Sequence, residues 1–266
     1  MEIVLAAIFA LLGLAIGSFL NVCIDRLPAG KSLAYPPSHC DACQHSLATK
    51  DLVPVFSWLW LRGKCRYCRA SIPRRVPLVE TLTGVYFLLV FLRFGLSLAF
   101  AVTAFWGCVF LVILFIDWEH KLILNRITGP MAIVALAVLA ADSLMPGRGP
   151  MAGLTMLFRP SLLSGLIGAA GGFVLLLIPA LINPRGMGFG DVKMAGLIGL
   201  VTGFPLVFVA LMVGIISGGL VAISLLVLKI KGRKEVIPFG PFLSMGTIVT
   251  LLWGNQILSW YTQGFF

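Results

Sequence analysis

Charge is scarce in this sequence. Charged residues make up 11% of its 266 positions, and the ten Asp and Glu are outnumbered by twenty Lys and Arg. Hydrophobic residues take 59%, and mean hydropathy is +1.04. A soluble domain of this length has no way to hide that much apolar surface, so the composition reads as a polytopic membrane protein. The apolar runs also lack the period-two alternation of barrel strands, which leaves helices, whose backbone groups are satisfied within the segment. Residues 1–20 contain no Lys or Arg, carry Glu2 and show no small-residue cleavage site. That argues against a secretory signal and for a retained first span with its N-terminus outside. Histidine is equally sparse: His120 is the one His outside the loop that follows the first span, and no Ser/His/Asp arrangement is evident. A glycine-rich nucleotide loop is missing from that loop as well.

Apolar runs read as spans at 3–23, 78–95, 98–116, 127–144, 161–183, 191–203, 206–228 and 239–260. The expected fold is all-α, with about eight transmembrane helices and a small water-facing region between the first two. The division follows as 1–24 for the first helix, 25–77 for the loop region and 78–266 for a membrane-embedded domain. Gly13 and Gly17 suit close packing of the first helix. The 191–203 run is short for a crossing of about 20 residues, so it reads as a half-span or an irregular helix lining a cavity, or as a helix extended at its ends. The net charge of +10 sits in the segments between apolar runs, the pattern that orients membrane proteins rather than one that binds nucleic acid. Placing the 25–77 loop inside leaves only Arg93, Arg148 and Arg159 outside among the twenty Lys and Arg. Both termini then lie outside.

Cys40-x-x-Cys43 and Cys65-x-x-Cys68 lie in the inside loop, separated by twenty-one residues. Paired Cys-x-x-Cys knuckles read as a closed four-thiolate zinc site, structural because no coordination position is left open. A reducing cytosol argues against two disulfides. His39 and His45 flank the first knuckle as rival ligands or as surface residues; Cys23 and Cys108 read as apolar core.

Two carboxylates stand out against this background. Asp191 closes the run Gly186-Met-Gly188-Phe-Gly190-Asp191, and Asp117 follows the apolar stretch Phe110–Ile116. Charge counting puts both at the inside end of their spans. Two carboxylates about 4 Å apart at an effective dielectric near 20 repel by about 4 kcal/mol, enough for the pair to share one proton near neutral pH. The ionised member then takes a proton from water while the protonated one polarises a peptide carbonyl. Gly188, Gly190 and Lys193 are candidate lining for a substrate cleft. Against this stand plainer roles: Asp191 as a helix N-cap, Asp117 paired with Lys121 or capping a helix, with Glu119 as a competitor. Glu80, near the start of the second span, is a further acid at the membrane edge and a partner for Arg74 or Arg75.

The order of motifs resembles the bifunctional type IV prepilin peptidases, membrane aspartic proteases of the Gly-x-Gly-Asp type. The resemblance rests on Gly17-Ser-Phe-Leu-Asn-Val22 with Arg26-Leu-Pro28, on Pro36-x-Ser38-x-Cys40, Ser57-Trp58, Arg62-Gly63-x-Cys65 and Pro77-Leu-Val-Glu80, on Asp117, on Gly188-Phe-Gly190-Asp191, and on Ile237-Pro-Phe-Gly-Pro-Phe242. Leu124-Asn125 stands where family members often carry Pro-Asp. The resemblance implies a bacterial inner-membrane enzyme with Asp117 and Asp191 catalytic. It would remove the leader of prepilins or pseudopilins after a glycine on the cytosolic side, then N-methylate the new terminus with S-adenosylmethionine. The cofactor site is undefined by sequence, with Asn21, Arg26 and Glu80 as candidates. Implied partners are those substrates and membrane lipid, not nucleic acid. A peptidase without methylation, a proton-coupled transporter using the two aspartates, and a zinc-anchored scaffold are the alternatives.

Overall fold

The structure is a computed structural model that describes residues 2–144, 161–183, 187–229 and 238–265. Gly186 and Ile237 of the motifs, and Arg148, Arg159, Arg185, Lys231, Arg233 and Lys234 of the charge count, lie outside the described residues. Among the described residues the fold is all-helical, as expected, with two isolated bridges and no strand. Two compact units divide the chain, Met1–Leu96 and Ser97–Phe266.

The first unit pairs α1 (Glu2–Arg26) with α3 (Arg75–Phe94), and a short α2 (Phe56–Trp60) lies in the loop between them. The expected role of Gly13 and Gly17 holds. A Cβ at Gly17 would fall 2.6 Å from the Glu80 Cα, so the two backbones meet at a distance only glycine permits. Phe9 and Phe91 stack at 4.8 Å further along the same seam.

The second unit comprises α4 (Leu98–His120), α5 (Asn125–Leu144), α6 (Leu162–Ile182), α7 (Phe189–Thr202), α8 (Leu206–Val227) and α9 (Gly240–Phe265). Helix α4 is apolar almost all round, and Trp106, Phe110, Ile113 and Ile116 are fully buried. Helix α9 packs against α4, α7 and α8, and α6 lies along α7. The last contact is backbone on backbone, because a Cβ at Gly199 would run into the Gly168 main chain. Gly199→Ala therefore forces α6 and α7 apart. The expected cost is about 1–3 kcal/mol or more, read as a drop in thermal stability of the purified protein in detergent.

Helices occupy all eight apolar runs. Six of them, α1, α3, α4, α5, α6 and α8, are long and apolar enough to cross a membrane on length and composition. Helix α7 has 14 residues, about 21 Å against a hydrocarbon core of about 30 Å. Helix α9 has 26 residues but carries Asn255-Gln256 in its middle. Several helix ends run past the hydropathy boundaries. Helix α1 continues to Arg26, α3 begins at Arg75 and α4 runs on to His120, since a helix ends where its hydrogen bonds end rather than where lipid does. Helix α4 stops at Lys121, which takes the left-handed conformation (φ 54°, ψ 41°) and donates its N–H to the Asp117 carbonyl at 2.9 Å.

Candidate active site and metal centre

In the first unit the loop brings its four expected cysteines together. The sulfurs of Cys40, Cys43, Cys65 and Cys68 lie within 4.8 Å of one another, and Cys40 and Cys68 are 3.8 Å apart. Four sulfurs about 2.3 Å from one tetrahedral metal stand about 3.8 Å from each other, so the thiols fit such an ion. The two knuckles are copies of one turn. The Cys40 N–H donates to the His45 carbonyl at 3.0 Å and the Cys65 N–H to the Ala70 carbonyl at 2.7 Å. Gln44 and Arg69 each take positive φ (56° and 63°) and donate back to the Cys40 and Cys65 carbonyls. Aligning His39-Cys-Asp-Ala-Cys-Gln-His-Ser46 with Lys64-Cys-Arg-Tyr-Cys-Arg-Ala-Ser71 shows the repeat in sequence, a signal the motif reading did not use.

The two histidines do other work. His45 packs its ring, tilted by 37°, against Tyr67 at 3.7 Å, tying one knuckle to the other, and His39 Nδ1 lies 3.0 Å from the Pro37 carbonyl. Asp51 anchors the second knuckle, accepting from Arg66 Nε at 2.6 Å, the Tyr67 hydroxyl at 3.0 Å and the Ala48 N–H at 3.2 Å. Burial works to raise its pKa, but the hydrogen bonds from Arg66, Tyr67 and Ala48 outweigh that and hold the carboxyl below its ordinary value. This anchor is therefore intact at neutral pH and lost as acid protonates Asp51 below its usual range.

The three cofactor candidates hold backbone. Arg26 donates to the Ser32 and Pro36 carbonyls at 2.9 and 2.6 Å, stapling the loop to the end of α1. Glu80, buried in α3, accepts from the Val55 N–H at 2.7 Å. It thereby steadies a β-branched residue in an unfavourable positive-φ conformation (62°, −50°). Among the described residues no arginine forms an ion pair with it, and Arg75 pairs with Asp25 at 2.7 Å. Asn21 bridges helices through Nδ2, donating to the Gly17 and Val76 carbonyls at 3.3 and 3.1 Å; its buried Oδ1 has no hydrogen-bond partner. Two of the three side chains are thus committed to the loop, and the set does not fit a methyl-donor site.

In the second unit α4, α7 and α9 meet around Asp117 and Asp191. Both carboxylates are buried, 5% and 8% exposed, and Asp117 is near enough for its charge to act on Asp191. Each lies at the start of a helix. Gly240, the first residue of α9, donates to Asp117 Oδ2 at 3.0 Å, and Asp191 stands in the first turn of α7, where a Cβ added at the N-cap residue Gly188 would lie 3.5 Å from its Oδ2. Helix N-termini favour negative charge, so a buried carboxylate gains support there without a cationic side chain. Asp117 thus caps another helix rather than its own, and the described residues give it no ion pair with Lys121. Asp191 is not the N-cap of α7, which is Gly188; it is the third residue of the helix, where the N-terminus still favours a carboxylate. Glu119 and His120 are exposed beyond the end of the pair's burial.

Of the expected cleft residues, Gly188 is exposed beside Asp191, and Gly190 faces Ile123, whose Cβ would stand 3.0 Å from an added methyl. Lys193 lies elsewhere. It is two residues past Asp191, about 200° round the helix, where it donates to Asn125 Oδ1 at 3.0 Å. A further buried acid, Asp142, sits in the last turn of α5.

Residues 11–94 match the model of the bacterial peptidase A24 N-terminal domain, and residues 104–223 match that of the type IV leader peptidase family. These spans fall one in each compact unit. A prepilin leader peptidase/N-methyltransferase of Xanthomonas campestris pv. campestris is 33% identical, over 95% of this chain and 92% of its own length. The chain belongs to the type IV leader peptidase family. Family members bearing the same name in Aeromonas hydrophila and Bacillus subtilis are 31% and 30% identical, covering 96% and 97% of this chain and 93% and 98% of theirs. No solved structure matches the chain. The family match ends before α9, although the amide that meets Asp117 belongs to that helix.

Proposed function

We propose that this chain is a bacterial inner-membrane aspartic peptidase that cuts the leader from prepilins or pseudopilins after a glycine and then N-methylates the new terminus. The observation that carries the reading is the pair Asp117 and Asp191, both buried, the first facing the leading amide of α9 and the second in the first turn of α7. The names of the relatives point to the same substrates and to both activities. With one proton on the pair, the ionised carboxylate takes a proton from water as its oxygen attacks the scissile carbonyl carbon. The protonated carboxyl donates its hydrogen bond to the carbonyl oxygen. Collapse of the tetrahedral intermediate breaks the C–N bond, and the proton held by the dyad leaves on the amine. The exposed glycine Gly188, with Gly190, lets an extended substrate backbone approach Asp191. We further propose that the dyad and the loop both lie on the cytosolic side, with both termini outside, on the strength of the positive-charge distribution.

The methyl donor implied by the relatives' names is S-adenosylmethionine, which supplies an electrophilic methyl group. Since Arg26 and Glu80 are committed to backbone, no residue is assigned to its binding. Purified enzyme incubated with prepilin and S-adenosylmethionine should give a mature pilin beginning after the glycine and heavier by one methylene. An uncut prepilin refutes the peptidase reading; a cut but unmethylated product leaves a peptidase alone.

The four thiolates of Cys40, Cys43, Cys65 and Cys68 are proposed to hold structural Zn2+. Binding by such a site is worth about 10–16 kcal/mol of apparent folding free energy. Purified protein is expected to carry one zinc per chain by elemental analysis. Cys65→Ser should lose it and open residues 38–72 to limited proteolysis while α1 and α3 stay inserted. Full zinc content in that variant would rule the site out.

A further inference from the structure

Helix α7 has two opposed faces. Asp191, Met194, Ala195 and Ile198 recur at i, i+3, i+4 and i+7 and are buried in the helix packing. Lys193, Gly196, Leu197 and Leu200 recur at the same spacing about half a turn away; of these Lys193 is exposed, Gly196 half-buried, and Leu197 and Leu200 buried. This second face floors a groove of about 700 Å³, walled by α5 through Asn125 and Gly129 and by α6 through Ala169 and Phe173. Both walls are helices of membrane-crossing length and hydropathy. The groove runs from Lys193 to Leu200, about 10 Å along the axis, or a third of a hydrocarbon core of about 30 Å.

Its chemistry is that of an amphiphile. Lys193 is the single ionisable residue in the lining, and it stands at one end; every other position toward Leu200 is apolar or small apart from Asn125 and Thr128 at the same end. The Lys193 ammonium donates to Asn125 Oδ1 and lies 5.3 Å from the centre of the Phe189 ring. Both contacts hold the cation in place and neither cancels its charge. This face points away from Asp191, the carboxylate that the scissile bond must reach.

We infer that the groove binds an anionic phospholipid, with the upper part of one acyl chain along Gly129, Ala169 and Gly196 and the phosphate on Lys193. The charge at the groove's end complements an anionic headgroup at the depth where the hydrocarbon begins, and a Lys near an anionic leaflet contributes about a fivefold preference. An occupied groove then braces α7 from the side opposite Asp191.

The test is lipid retention by the full chain, extracted from nanodiscs of equal phosphatidylglycerol and phosphatidylcholine and weighed by native mass spectrometry. The wild type is expected to keep one phospholipid, with phosphatidylglycerol favoured about fivefold. Lys193→Gln should keep a lipid and lose the preference. Gly129→Leu should keep neither, because a Cβ at Gly129 meets no atom within 4 Å and a larger side chain has room to fill the groove without distorting α5. Equal retention of the two lipids by the wild type, or undiminished phosphatidylglycerol on Gly129→Leu, overturns the assignment. So does a Gly129→Leu enzyme that keeps its lipid but shows a raised KM for prepilin, which would give the groove to the peptide. None of the lipid readouts depends on cleavage, so the site stands or falls apart from the peptidase reading.

Discussion

Asp117→Asn and Asp191→Asn should each abolish prepilin cleavage, lowering kcat/KM by about 10²–10⁴-fold or more, in protein that inserts and folds normally. Asparagine keeps the shape of each side chain and, at position 117, an oxygen that still accepts the Gly240 amide. What it removes is the ability to take and return a proton. The double variant should be no worse than either single one, because the two carboxylates act as a unit and their effects do not add. Stability should move the other way: burying a carboxylate costs free energy that a neutral amide does not, so both variants should melt at or above the wild-type temperature. Wild-type kcat/KM should be bell-shaped in pH, reporting the pair rather than either acid. Normal cleavage by either variant would remove that residue from the chemistry. Reduced cleavage accompanied by a lower melting temperature would make it a structural carboxylate.

The legible and illegible parts of the chain differ in physical kind. Burial on the scale of a helix is visible in hydropathy, so α1 and α3 to α9 fall on the expected runs, while helix ends such as Arg26, Arg75 and His120 do not, because water-facing turns carry no apolar signal. Rare charge in an apolar chain singled out Asp117 and Asp191. Cysteine spacing singled out the thiol cluster, since sulfur ligands act through side chains that sequence names directly. Lys193 was grouped with the glycine run by adjacency in sequence, although the 3.6-residue period already sets it on the other side of α7 from Asp191. Asn21, Arg26 and Glu80 are the sequence's candidates for a cofactor site, yet their partners are carbonyls and amides of Gly17, Val76, Ser32, Pro36 and Val55. Main-chain groups occur at every position and leave no mark in composition. The same blindness hid the most consequential contact in the second unit, between Asp117 and an amide 123 residues away.

That contact makes Gly240→Ala the second large prediction. A Cβ at Gly240 would lie 2.6 Å from Asp117 Oδ2 and 3.0 Å from its Cγ, so the carboxylate must swing away or the start of α9 must retreat. Either movement breaks the 3.0 Å hydrogen bond from the Gly240 N–H and takes Asp117 off the N-terminal axis of α9. Removing one preorganised donor at a catalytic centre costs about 10²–10³ in kcat, and a similar loss is expected here with little change in KM, because Gly240 acts through Asp117 rather than on the substrate. The limbs of the pH profile should shift as well, which a merely packing role for the glycine would not produce. Gly219→Ala in α8 is the matched control. Its Cβ meets nothing within 4 Å, so the substitution should leave kcat unchanged and stabilise the helix by about 0.5–1 kcal/mol. A Gly240→Ala enzyme with wild-type kcat and pH profile would show that Asp117 does not depend on the α9 amide. Loss of activity with the profile unmoved would reduce Gly240 to a spacer between α4 and α9.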